Sequence, residues 1–149
     1  LYLADRRALL DSGRPITFDW YVSMPHGPVL SFTLDLINGD PDPEDPSYWH
    51  SYISERKDQE VSLIEEAPND QLSHAEEAVL DRIFEELGSR TPWELRDFSH
   101  TLPEWQDPQG SSLPIGIEDI LRAAGIAEDE IQEVIESLEA EAAADRILE

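Results

Sequence analysis

Between Ser12 and Pro28 the chain carries Gly13, Pro15, Pro25, Gly27 and Pro28, and this punctuation restricts the fold more than any other feature. Proline locks φ at about −65°, lacks an N–H, and pushes the preceding residue out of the α region, so no helix runs through such a stretch. The chain must break early into short pieces. On the N-terminal side, Tyr2 to Asp11 is helical, with Ser12-Gly13 as its stop. Ile16 to Met24 lies between Pro15 and Pro25, is rich in β-branched and aromatic residues, and reads as extended or irregular. Gly27 can cap and Pro28 can occupy the first turn of a helix over Pro28 to Ile37. Its apolar residues Val29, Leu30, Phe32, Leu34, Leu36 and Ile37 fall on several faces, which predicts a central, largely buried helix ended by Asn38-Gly39.

Downstream, Asp40 to Pro46 is a proline-acid loop with nothing to pack. Ser47 to Ile53 reads as a short helix that gathers Tyr48, Trp49 and Tyr52. Ser54 to Lys57 and Val61 to Ile64 can pair as a small hairpin through Asp58-Gln59-Glu60, marginal unless it lies on the helices. Ser73 with Glu76 forms a capping-box pattern, and Val79, Leu80, Ile83, Phe84 and Leu87 repeat at helical spacing until Gly88. Thr91-Pro92-Trp93-Glu94 repeats that logic, with Trp93 and Phe98 as anchors of the helix it opens. After breaks at Pro103 and Pro108 to Pro114, Ile117, Ile120, Leu121 and Ala124 make a short helix that stops at Gly125. Ile131, Val134, Ile135 and Leu138 then mark one long amphipathic helix. The reading is a mainly α fold: a single compact multi-helix domain over residues 1–149, with room for one small antiparallel β-hairpin and an acidic helical segment over 115–149.

Composition narrows the class further. With 149 residues, 40% of them hydrophobic, the chain is long enough to bury a core as one domain. The absence of cysteine removes disulfides and Cys-ligated zinc and suits a reducing cytoplasm. No apolar run approaches a membrane span, and no basic start leads into one. The formal net charge is −24, which opposes binding to DNA, RNA or anionic lipid. That charge is uneven: residues 1–30 balance three acids against three arginines, whereas residues 126–149 carry nine acids and only Arg146. It serves either as solvation or as complementarity to a basic partner.

Catalytic patterns are missing. There is no Gly-x-Ser-x-Gly elbow, no His-Glu-x-x-His and no phosphate-cradling glycine loop. His26, His50, His74 and His100 are at least 24 positions apart, so none forms a local metal-ligand pair. Paired carboxylates discriminate nothing in a chain this acidic. A hydrolase using His26 or His100 with carboxylates would have to assemble without a recognisable nucleophile or metal set. The reading is therefore non-catalytic, with no catalytic, metal or cofactor residues. Candidate partner-binding residues are Tyr21, Met24 and His26 on the proline-bounded loop, unless that loop only covers the core. Trp49 and Tyr52 are interface anchors or a lid on the core, and Glu133, Glu136 and Glu139 lie on the acidic C-terminal helix. His100, near Trp105, is either a recognition residue or a hydrogen-bonded core histidine. Asp5 and Arg6, adjacent on a helix, point apart, so Asp5 caps or braces the Ile16 to Met24 segment rather than pairing with Arg6.

Two blocks of sequence carry a resemblance. The first comprises Tyr2-Leu3-Ala4-Asp5-Arg6, Gly13-Arg14-Pro15-Ile16-Thr17, Asp19, Tyr21 and Met24-Pro25-His26-Gly27-Pro28-Val29. The second runs from Leu72-Ser73 through Leu80-Asp81 to Thr91-Pro92, Leu95, His100 and Trp105. In this order they resemble the Panacea domain of SocA-like antitoxins, with Phe18 a departure where the family usually has a small residue before the aspartate. The resemblance implies direct binding of a co-encoded protein toxin, by masking its active surface or by acting as an adaptor that delivers it to the ClpXP protease. It also implies a helix before Leu1, where this sequence opens in mid-helix. The alternative is an acidic mimic of nucleic acid or a general protein-interaction module.

Overall fold

The computed structural model describes residues 1–40, 42–68 and 71–148. Among them are seven helices and three short strands. Helix α1 (Tyr2–Ser12) leads through the loop at Pro15 into strand β1 (Tyr21–Met24), strand β2 (Gly27–Leu30) and helix α2 (Ser31–Asn38). Helices α3 (Tyr48–Tyr52), α4 (His74–Leu87) and α5 (Pro92–Ser99) follow, then strand β3 (Leu113–Ile115) and helices α6 (Ile117–Ala123) and α7 (Glu128–Leu148). The fold is mainly α with one small antiparallel sheet of order β2-β1-β3.

The local stop and start signals act as their chemistry dictates. Gly13 ends α1 at φ 74°, and Gly39 ends α2 at φ 99°, both left-handed positions where a Cβ is costly. Ser73 and Glu76 close a reciprocal capping box on α4, and Thr91 and Glu94 close another on α5 with Pro92 in its first turn. The Glu76 and Glu94 carboxyls are held below the usual carboxylate range by the backbone and hydroxyl hydrogen bonds they accept in those boxes.

The region after Pro25 departs from the expected helix. Pro25 and His26 turn the chain, Gly27 takes φ 119°, and Gly27 to Leu30 pairs with β1 in the register Met24↔Gly27, Ser23↔Pro28, Val22↔Val29 and Tyr21↔Leu30. Strand β2 lies at the sheet edge, where proline's missing N–H deprives no neighbour. The helix therefore begins at Ser31, not Pro28. Asp19 caps it from outside: its carboxylate accepts the N–H groups of Phe32 and Thr33 and the Thr33 hydroxyl, all at 2.8 Å. At eight residues α2 packs by one face, so only Leu36 is buried and Phe32 stays 37% exposed.

The expected hairpin at 54–64 closes only through isolated bridges, Ile53↔Leu63 and Lys57↔Glu60. Asp58 and Gln59 both adopt positive φ, 51° and 70°, which is the geometry of a two-residue hairpin turn. With Glu55 to Ala67 all exposed, nothing beneath these residues extends the pairing. The third strand instead comes from Leu113 to Ile115, in a proline-flanked stretch that reads as a break, and pairs with the free side of β1.

The core gathers Tyr2, Leu9, Tyr21, Leu30, Ile115, Ile120, Leu121 and Ile131. Residues beyond 106 thus complete the same core as α1. Two carboxylates are built into it. Asp5, 1% exposed, accepts the N–H groups of Ile16 and Thr17 at 3.1 Å, the Thr17 hydroxyl, and the Tyr21 hydroxyl at 3.1 Å. It braces the segment after Pro15, as the sequence suggests. Glu104, 6% exposed, accepts the Tyr2 hydroxyl at 2.9 Å and the Arg6 Nε at 2.5 Å. The two tyrosine rings meet edge to face at 5.5 Å. Burial first, and the adjacent carboxylate second, push both phenols well above the usual tyrosine range.

This yields a pH dependence with a defined sign. Below about pH 10 the tyrosines are protonated whether the chain is folded or not; above it the unfolded chain releases these protons while the folded chain retains them. Stability is expected to hold up to about pH 10 and fall steeply as pH rises beyond it. Urea midpoints measured across that range, with tyrosinate absorbance recorded alongside, check this. Tyr21→Phe is expected to flatten the alkaline slope; a midpoint indifferent to alkaline pH would refute the assignment.

Candidate functional site

The β1–β2 turn stands on the far end of α5 and the segment after it. The Trp105 Nε1–H donates to the Met24 carbonyl at 3.1 Å, and the Gln106 N–H donates to the Ser23 hydroxyl at 3.2 Å. The His100 ring stacks on Trp105 at 3.9 Å, almost parallel. Beneath the turn Gly27 is in close approach to Ser99, where a Cβ would lie 2.3 Å from Ser99 Oγ. On the outer side His26 meets the edge of Trp93 at 6.5 Å. Together with Leu3, Leu34, Ile37 and Arg96 these two rings border a largely apolar cleft of about 610 Å³ between α1, β2, α2 and α5. Arg96 lies over Trp93, 5.1 Å from its ring centroid, and also pairs with Asp97.

The structure separates the residues that the sequence groups. Tyr21 is no surface residue: it points into the core at 4% exposure, because the presumed loop is a strand whose inward face alternates. Met24 is half-buried and His26 is exposed at the turn. Trp93, expected to anchor α5 inward, is 64% exposed, and Phe84 on α4 is 74% exposed. His100 is half-buried, and its Nε2 is buried without a hydrogen-bond partner among the described residues, so stacking rather than hydrogen bonding holds the ring. Trp49 and Tyr52 are half-buried on α3, where Tyr52 meets the more open Tyr48 edge to face at 5.2 Å.

On α7, Glu133, Glu136 and Glu139 are exposed, while Ile131 is buried and Val134, Ile135 and Leu138 are half-buried. The neighbouring acids are engaged. Glu128 pairs with Arg122 at 2.7 Å and Glu141 with Arg14 at 2.6 Å, and the hydrogen bond from each arginine holds each carboxyl below its ordinary range. Arg14 also reaches Glu76 at 3.2 Å, so it ties the loop after α1 to both α4 and α7.

Sequence reasoning overlooked a second concavity, of about 400 Å³, lined by Phe18, Trp20 and Phe32 with Asp42 and Glu44. The signal was available in Phe18-Asp19-Trp20, where two large aromatics flank a charged residue in a segment too short to bury both. Among the described residues no group of three or more His, Cys, Asp or Glu is placed to hold a metal ion, and no helix is long and apolar enough to cross a membrane.

The architecture is mainly α, with a β-hairpin braced by a buried carboxylate and aromatic concavities at the hairpin and beside it. Residues 1–106 match the sequence model of the family described as antitoxin SocA-like, Panacea domain, and the chain belongs to that family. Neither a curated protein nor a solved structure matches the chain.

The close approach at Gly27 gives a stability test of the hairpin platform. Gly27→Ala is expected to destabilise the protein by at least about 2 kcal/mol, from the positive φ and the collision with Ser99. Adding Ser99→Ala removes the hydroxyl but not the φ strain, so it is expected to restore only part of the loss in denaturant unfolding. Full restoration would mean that φ at Gly27 carries no strain.

Proposed function

We propose that this protein is a non-catalytic antitoxin that binds a co-encoded protein toxin in a stoichiometric complex. The observation that carries the reading is the family match over residues 1–106. The cleft between the β1–β2 turn and α5 suits such a contact. His26 and the 64% exposed Trp93 offer aromatic surface at its rim, and the turn beneath them is fixed by Trp105 and Ser99. A fixed aromatic rim binds with little ordering cost. Met24, half-buried beside His26, supports this surface more than it extends it. Trp49 and Tyr52 are secondary contacts on α3, and Glu133, Glu136 and Glu139 present unshielded charge to a basic toxin.

The test is rescue. The full-length protein is expected to restore growth when it is co-expressed with the product of the adjacent reading frame. A neighbour harmless by itself, or one still toxic with this protein in excess, would end the reading. Masking leaves toxin levels unchanged during rescue, whereas adaptor action lowers them only in cells with active ClpXP. His26→Ala combined with Trp93→Ala is expected to weaken toxin binding at least tenfold, about 1.4 kcal/mol, with an unchanged melting temperature. A lowered melting temperature would assign the two rings to the fold instead.

The acidic helix makes a kinetic prediction. Exposed charges are screened within about 10 Å at about 0.1 M salt, so added salt is expected to slow association far more than it speeds dissociation. Glu133→Gln with Glu136→Gln and Glu139→Gln is expected to reproduce the slowing at low salt, since glutamine keeps size and helix propensity. Stopped-flow association rates that ignore both changes would reduce the charge on α7 to solvation.

A further inference from the structure

The segment that leaves α1 and the start of α2 hold three large aromatics in the open: Trp20 at 77% exposure, Phe18 at 47% and Phe32 at 37%. They share one concavity of about 400 Å³ with Asp42 and Glu44, and among the described residues no Lys, Arg or His lines it. Exposed apolar residues are ordinary when scattered singly; three aromatic rings around one hollow are not. The other lining carboxylate, Asp19, is spent on capping α2. Among the described residues Asp42 accepts only the Glu44 N–H, at 2.8 Å, and the Glu44 side chain pairs with no cation.

The backbone holds Phe18 at a cost. Its φ is 54°, a left-handed position that is unfavourable for a bulky side chain and easy for glycine. Both flanks are tied down: Asp5 takes the Ile16 and Thr17 N–H groups, and the Asp19 N–H donates to the Thr17 hydroxyl at 3.2 Å. The ring so placed is not used by the core. It already accepts a guanidinium from within the chain, since Arg14 lies 4.7 Å from its centroid while anchored to Glu141 and Glu76.

We propose that this concavity binds an arginine side chain of a basic protein partner, with the guanidinium against the Phe18, Trp20 and Phe32 rings and its N–H groups directed to Asp42 and Glu44. Aromatic faces attract cations through their quadrupole, and the planar, weakly hydrated guanidinium stacks where an ammonium does not. The two carboxylates supply the charge that a neutral aromatic pocket lacks, and the net charge of −24 draws basic surfaces toward it. The site rests on the antitoxin reading only for the identity of its partner.

The test needs no toxin. The full chain is titrated with the peptide acetyl-Gly-Arg-Gly-amide, and the Trp20 indole N–H resonance is followed by NMR. A saturable shift is expected with the arginine peptide, at least fivefold weaker binding with the lysine peptide, and no saturation with the neutral citrulline peptide. Phe18→Gly relieves the left-handed strain, so its melting temperature is expected to match or exceed that of the parent while arginine binding falls at least tenfold. Asp42→Asn with Glu44→Gln is expected to lower the affinity similarly. Equal response to arginine and citrulline, equal affinity for lysine, or undiminished binding by both variants would overturn the proposal. Arginine binding that persists alongside failed rescue of the toxic neighbour would uphold the site and sink the antitoxin reading alone.

Discussion

Asp5 is a carboxylate at 1% exposure, and the arrangement of the N-terminal half follows from how it is satisfied. A buried charge costs several kcal/mol unless its lone pairs are filled by donors. Here the donors come from Ile16, Thr17 and Tyr21, so the loop after Pro15 and the start of β1 have to converge on the first turn of α1. Glu104 plays the matching part on the same helix, where Tyr2 and Arg6 hold it. Since the two tyrosines pack against each other, the two carboxylate clusters fix α1, β1 and the segment at 104 as one frame.

Both concavities are mounted on that frame. The β1–β2 turn is pinned to the chain around Trp105 through the Met24 carbonyl and the Ser23 hydroxyl, which sets His26 against Trp93. Asp19, one loop further from Asp5, caps α2 and thereby places Phe32 beside Phe18 and Trp20. Polar contacts thus fix the backbone just beneath these exposed aromatics. Strand β3, α6 and α7 lie outside the family-matched residues, yet Ile115, Ile120, Leu121 and Ile131 close the core against Tyr2 and Leu9. The acidic C-terminal segment is therefore structural on its inner face and exposes Glu133, Glu136 and Glu139 on its outer one.

Several elements were legible because their causes are local. The stops at Gly13 and Gly39, the capping boxes at Ser73 and Thr91, and the long apolar period of α7 need only the residues within one helical turn. Family membership was legible too, from Tyr2 to Val29 and from Leu72 to Trp105. The site was less so. Tyr21 looked available because it sits between prolines, but the period of β1 turns it inward. Trp93 looked like an anchor because aromatics usually are, but α5 packs its other face on β2.

The sequence by itself determined that this chain would be helices separated by fixed turns, mainly α, acidic, and of the SocA-like family. Those properties depend on side-chain identity and near neighbours along the chain. Only the tertiary structure decided that Gly27-Pro28 opens a strand rather than a helix, that Leu113 to Ile115 becomes a third strand, and which aromatics remain outside. Strand pairing joins residues more than 90 positions apart, Tyr21 with Ile115, and no local pattern encodes a partner at that distance. Exposure of Trp20 and Trp93 likewise depends on what the rest of the chain has left uncovered.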